Sequence, residues 1–133
     1  MTIVVGYVPR GEGKAALRRA AEEARLRSTR LVVINSNKGG THLHDDEAAE
    51  HEKELAEVRA QLDAEGIENE VRQLVRGLDP AEDLIAVAEE TNADFIVIGL
   101  RRRTPVGKLI LGSNAQRILL EAPCPVLAVK AEE

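Results

Sequence analysis

Aromatic side chains are almost missing from this chain. Tyr7 and Phe95 are the only two, tryptophan is absent, and aromatics make up 2% of the 133 residues. Stacking platforms for unpaired bases are therefore lacking, which argues against single-stranded nucleic-acid binding. The formal net charge of −5 argues the same way, because phosphate backbones are bound by basic surfaces. Cysteine is as scarce: Cys124 stands alone and cannot form an internal disulfide. With no charged segment leading into an apolar run of signal-peptide length, the expectation is a cytoplasmic protein. No apolar run approaches the ~20 residues of a membrane span, so the expectation is also a soluble one. Catalytic signatures are missing too. There is no G-x-S-x-G elbow, no P-loop ending in Gly-Lys-Ser/Thr, and no carboxylate pair that the pattern brings into one crevice.

What remains is an aliphatic, strongly patterned chain. Its length predicts one domain, 1–133, and its 44% hydrophobic content, nearly free of aromatics, predicts a core of Ala, Val, Ile and Leu. Thr2 to Val8 and Leu31 to Ile34 are near-continuous apolar runs, the mark of strands buried on both faces of a parallel sheet. Asp94 to Ile98 and Val126 to Val129 read the same way, whereas Glu68 to Val75 alternates charged and aliphatic residues like a half-exposed edge strand. Helical spacing fills the gaps. Ala16, Leu17, Ala20, Ala21 and Ala24 form one face after the breaker Pro9 to Gly13, and Ala48, Leu55, Val58 and Leu62 form another before Gly66. Asp79 and Pro80 open a third helix with Glu82 placed for a capping box, and a fourth follows from Asn114. The order is βαβαβαβαβ. It predicts an α/β fold with a parallel sheet and helices on both faces.

In such sheets ligands sit beyond the carboxyl ends of the strands, where the chain reverses its path across the sheet. Tyr7 to Gly13, Asn35 to Gly40 and Gly99 to Ser113 all fall there. The third stretch, GLRRRTPVGKLILGS, runs from a strand through a basic glycine-containing loop into a helix start. Unpartnered N–H groups and the helix dipole at Gly112 and Ser113 suit a phosphate, and Arg101, Arg102, Arg103 and Lys108 add charge to the same place. Plainer roles exist for several of these residues. Ser113 to Gln116 is also a capping-box pattern, Gly107 serves a turn after Pro105, and the arginines form a solvated loop in the plainer reading. His42, His44 and His51 with Asp45 and Asp46 contain ligand-type residues, but the spacing is weak and no metal site is expected. Cys124, between prolines at a strand entry, reads as a small buried thiol.

The chain resembles the universal stress proteins over essentially its whole length. In the nucleotide-binding branch, the loop after strand four carries Gly, two residues, Gly, nine residues, Gly, then Ser or Thr. Gly99 fits the first place and Gly112 with Ser113 the last two, while Arg102 stands where the second glycine falls. The ending Ala122 to Val129 and the Gly77, Asp79, Pro80 helix start are similar as well. The resemblance implies a three-layer, Rossmann-like fold of the adenine nucleotide alpha hydrolase type, its five strands ordered 3-2-1-4-5. It implies an adenine nucleotide, ATP with magnesium, bound as part of a stress-response signalling or interaction module, with at most slow hydrolysis. Candidate contacts are Tyr7, Val8 and Pro9 after strand one, Asn35 and Ser36 after strand two, and Gly99, Arg101, Arg102, Gly112, Ser113 and Asn114. A homodimer is implied through the last strand, Val126, Leu127, Ala128 and Val129, whose apolar edge needs covering in any case. Two positions depart from the pattern. An Asp closing strand one contacts the nucleoside in the binding branch, and Val8 offers no acceptor there. Arg102 hinders the close backbone approach a glycine permits, yet supplies a guanidinium that can grip phosphate. A dimeric interaction scaffold that has lost nucleotide binding is the alternative these departures leave open.

Overall fold

A computed structural model describes residues 1–8, 11–37, 45–75, 79–100 and 112–131. Its elements are β1 (Thr2–Gly6), α1 (Gly11–Arg27), β2 (Arg30–Asn37), α2 (Asp45–Ala64), β3 (Asn69–Val75), α3 (Pro80–Thr91), β4 (Phe95–Leu100), α4 (Ser113–Glu121) and β5 (Val126–Lys130). The five strands form one sheet in the order β3-β2-β1-β4-β5, and every pairing is parallel. Both the alternation of strands with helices and the strand order expected above are found.

The apolar runs explain the layering. Period-two alternation sends Ile3, Val5, Leu31, Val33 and Val97 to one face, where the small residues of α1 and the Leu55, Val58, Leu62 stripe of α2 cover them. Val4, Val32, Ile34, Ile96 and Ile98 go to the other face, under α3 and α4. The central strands are thus sealed on both sides, and residues 3–5 are fully buried. Among the described residues no helix is long and apolar enough to cross a membrane.

Three helices end in the same way. Ser28, Gly66 and Asn92 adopt φ of 52°, 74° and 52°, and each is followed by a residue whose N–H reaches back to the helix: Thr29 to Ala24, Ile67 to Leu62, Ala93 to Ala88. These are Schellman ends, and Gly66 is the residue expected there.

Several boundaries differ from expectation. β1 stops at Gly6, so Tyr7 and Val8 lie past the strand, and β2 runs on through Asn35 and Ser36 to Asn37. α1 begins at Gly11, inside the stretch expected to break the chain, and Gly13 in its first turn fits against the chain after β1 with no room for a side chain. At α3, Pro80 holds the first helical position, but Asp79 makes no side-chain cap hydrogen bond. Glu82 accepts a hydrogen bond from Arg117 of α4 at 2.8 Å.

The two sheet edges are unlike. Leu31 N–H donates to the Glu68 carbonyl, so ladder alternation turns the backbone of Val71 outward, where Arg59 of α2 donates to its carbonyl at 3.2 Å. Arg72, Glu70, Glu90 and Arg30 add an ion-pair network on that edge, and charge of this kind blunts further pairing. At the other edge, Ile96 N–H donates to the Pro125 carbonyl and Ala131 N–H to the Leu100 carbonyl. Alternation therefore turns the backbone groups of Val126, Ala128 and Lys130 outward along a half-buried, mostly aliphatic strand.

Candidate functional site

A cavity of about 200 Å³ opens beyond the carboxyl ends of β1 and β4. These neighbours are where the path of the chain reverses: it runs outward to β2 and β3, then crosses back to β4. On the α3 and α4 side of the sheet, the cavity is floored by Gly6, Ile34 and Ile98 and walled by Pro80 and Leu84 of α3 and by the first turns of α4. Val8, Glu12 and Gly13 close it from the start of α1. Three helices thus direct their amino ends at one crevice.

Three glycines make this geometry. A Cβ on Gly99 would collide with the backbone of Glu12, and one on Gly13 with the backbone of Val8. The end of β4, the first turn of α1 and the chain after β1 are therefore in backbone contact. A Cβ on Gly6 would fall 2.9 Å from Leu84 Cδ1, so that glycine leaves the floor low. Gly99 has a packing duty, independent of any ligand.

Tyr7 lines the cavity, but its ring belongs to the opposite face of the sheet, where the residue is 3% exposed. Its hydroxyl donates to Glu54 Oε1 of α2 at 3.0 Å. Burial, then this hydrogen bond, holds the phenol well above its ordinary pKa, so it remains a neutral donor. Tyr7→Phe should cost about 1–2 kcal/mol in chemical denaturation while leaving affinity at the cavity unchanged, since it removes a charge-assisted bond on the far side. Asn35 is 7% exposed and donates from Nδ2 to the Tyr7 carbonyl at 3.4 Å, which fastens the chain where β1 has ended. Tyr7 N–H donates to the Ile34 carbonyl, and alternation then turns the Ser36 backbone to the same side, past the last β1 partner.

α4 supplies the anion-friendly end. Its N-cap is Gly112, extended at φ −69° and ψ 165°, with no side-chain cap hydrogen bond and no acidic residue in the first turn. Ser113 is thus the first helical residue rather than the cap expected from its capping-box pattern; the Gly112 carbonyl accepts the Gln116 N–H at 3.0 Å. Asn114 lines the cavity, and Ser113 beside it is exposed. Arg117 fixes this helix against α3, donating to Glu82 at 2.8 Å and Glu121 at 2.9 Å, with Asp79 3.9 Å away.

Pro9, Arg101 and Arg102 lie outside the described residues, as do Arg103, Gly107, Lys108, Gly77, His42 and His44 and the side chains of Asp45, Asp46 and His51. Among the described residues no group of three His, Cys, Asp or Glu could hold a metal. Cys124 is half-buried just ahead of β5, at the end of the sheet opposite the cavity, and burial, then Asp94, raises its thiol pKa. Glu12 and Gly13 were not singled out as site residues by the sequence pattern. The available signal was an acidic residue in a first helical turn, directly after a strand that ends at the switch point.

The architecture defines a doubly wound α/β domain whose crevice lies at its switch point, walled by helix amino ends. The chain belongs to the universal stress protein family, whose model matches residues 1–130. A universal stress protein of Mycolicibacterium smegmatis is 46% identical over 128 residues, 96% of each chain. A universal stress protein of Archaeoglobus fulgidus has the same fold, with a TM-score of 0.80 at 41% identity over 98% of both chains. A structure of the universal stress protein from that organism in complex with dAMP matches with a TM-score of 0.74 at 36% identity, again over 98% of both.

Proposed function

We propose that this chain is a single-domain protein, cytoplasmic in location, that binds an adenine nucleotide, ATP with magnesium, in the β1–β4 crevice. It acts there as a nucleotide-responsive module in a stress response. The observation that carries this reading is the amino end of α4, which among the described residues has neither a side-chain cap nor a first-turn acid, opening on a cavity at the switch point. The related Archaeoglobus structure holding dAMP supports the same ligand class. In this arrangement the phosphates meet Gly112, Ser113 and Asn114 with the Gly99-to-Gly112 loop, whose Arg101 and Arg102 supply guanidinium groups. The purine lies toward Asn35 and the Ser36 backbone, and Tyr7, Val8 and Pro9 line the sugar side by backbone contact. Magnesium rides on the phosphates, where its charge offsets the acidity of the chain.

The working unit is a homodimer paired through β5. Its outward backbone groups lie on a half-buried aliphatic edge, while the β3 edge is blunted by charge and by Arg59. Calorimetric titration with Mg·ATP checks the ligand. A ligand present at 100 times its Kd stabilises the fold by about 2.7 kcal/mol, so a clear rise in Tm at millimolar nucleotide is expected. No heat and no stabilisation would leave the dimeric scaffold without nucleotide, the reading that Val8 favours.

A further inference from the structure

Among the described residues that line the crevice, one carries a carboxylate. Among the described residues that line the cavity, Glu12 alone carries a charged side chain; Asn114 is polar, and the Tyr7 hydroxyl is engaged by Glu54 on the far face. Glu12 is half-buried in the first turn of α1, where the helix dipole favours a carboxylate. Its place is set by backbone contacts on two sides, Gly99 against Glu12 itself and Gly13 against Val8. It therefore stands where β1 and β4 end, and Val8, which lines the same cavity, has a side chain of hydrocarbon only.

On the nucleotide reading above, which this step requires, the strand order fixes what Glu12 meets. The purine lies at the β2 end and the phosphates at α4 beyond β4, so the sugar falls between them, across the β1–β4 junction. A carboxylate has two acceptor oxygens and no donor, which matches a pair of adjacent hydroxyls and opposes a phosphate. We infer that Glu12 recognises the ribose diol of the bound nucleotide, taking the acceptor role that Val8 cannot fill, and so sets both the sugar specificity and the direction in which the ligand lies.

The test titrates the full chain and its Glu12→Gln variant with ATP, with 2′,3′-dideoxy-ATP and with inorganic tripolyphosphate. The unaltered chain should bind ATP at least about tenfold more tightly than the dideoxy form, the scale of a charge-assisted hydrogen bond. Glu12→Gln should bind the two nucleotides alike, at the weaker level, while holding tripolyphosphate at least as tightly as before. Equal affinity of the unaltered chain for both nucleotides, or the same preference in both proteins, would overturn the role of Glu12 and leave nucleotide binding standing. Loss of tripolyphosphate together with ATP in Glu12→Gln would assign Glu12 to the fold instead, and overturn the role too. If the unaltered chain bound neither nucleotide, the nucleotide reading itself would fail, and this inference with it.

Discussion

Gly99→Ala is expected to destabilise the protein by about 3 kcal/mol or more in chemical denaturation, well above a usual Gly-to-Ala change at a strand end. Propensity alone predicts the opposite sign, because alanine restricts the unfolded chain. The native contact decides the outcome. A Cβ at this position collides with the carbonyl and main chain of Glu12, and main chain in the first turn of a helix cannot swing aside as a side-chain tip can. Relief requires α1 to withdraw from β4, which exposes part of the face where Ala16, Ala20 and Ala24 pack on Val5 and Val97. The contrast with Gly6 checks this argument, since its Cβ would press only on a leucine methyl group, and Gly6→Ala should cost less. Equal costs at the two sites would mean that the backbone contact between β4 and α1 is not a fixed part of the fold.

Ala128→Pro should convert the protein from dimer to monomer, read by sedimentation velocity, with the fold retained. Alternation along β5 turns the Ala128 N–H away from β4, so proline removes a donor from the open edge without breaking a β4–β5 bond. Proline at Leu127 would be far more damaging, because that N–H lies on the β4 side. The same logic makes the β3 edge a control. Removing the guanidinium with Arg59→Ala uncovers the Val71 carbonyl there yet should leave the dimer intact. A dimer that survives Ala128→Pro would place the association surface elsewhere.

The sheet was legible in the sequence because burial on both faces requires unbroken aliphatic runs, and β1, β2 and β4 carry them. Edge character was legible too, in the charged alternation of β3. Less was readable wherever a long-range contact overrides a local signal. Gly11, Glu12 and Gly13 look like a breaker, yet they form a helical turn because the end of β4 and the chain after β1 pack directly on it. Asn35 and Ser36 look like loop, yet they stay in β2 because β3 continues beside them, paired to Gln73 and Leu74. Tyr7 sits at the ligand end by position, but the parity of the strand sends its hydroxyl to α2. Gly112 displaced Ser113 as the α4 cap for a similar reason: a four-residue pattern cannot tell a cap from the first residue of the turn. The crevice was legible as a location, since strand ends and a switch point follow from topology. The charged residue that lines it among the described residues, Glu12, was not, since only the backbone contacts of Gly13 and Gly99 place it there.

The most direct measurement is a crystal structure of the purified protein grown with Mg·ATP. The expected result is nucleotide density in the β1–β4 crevice, with phosphates at Gly112 to Asn114 and the sugar beside Glu12. A crevice that stays free of nucleotide, or nucleotide bound at another surface, would contradict the account.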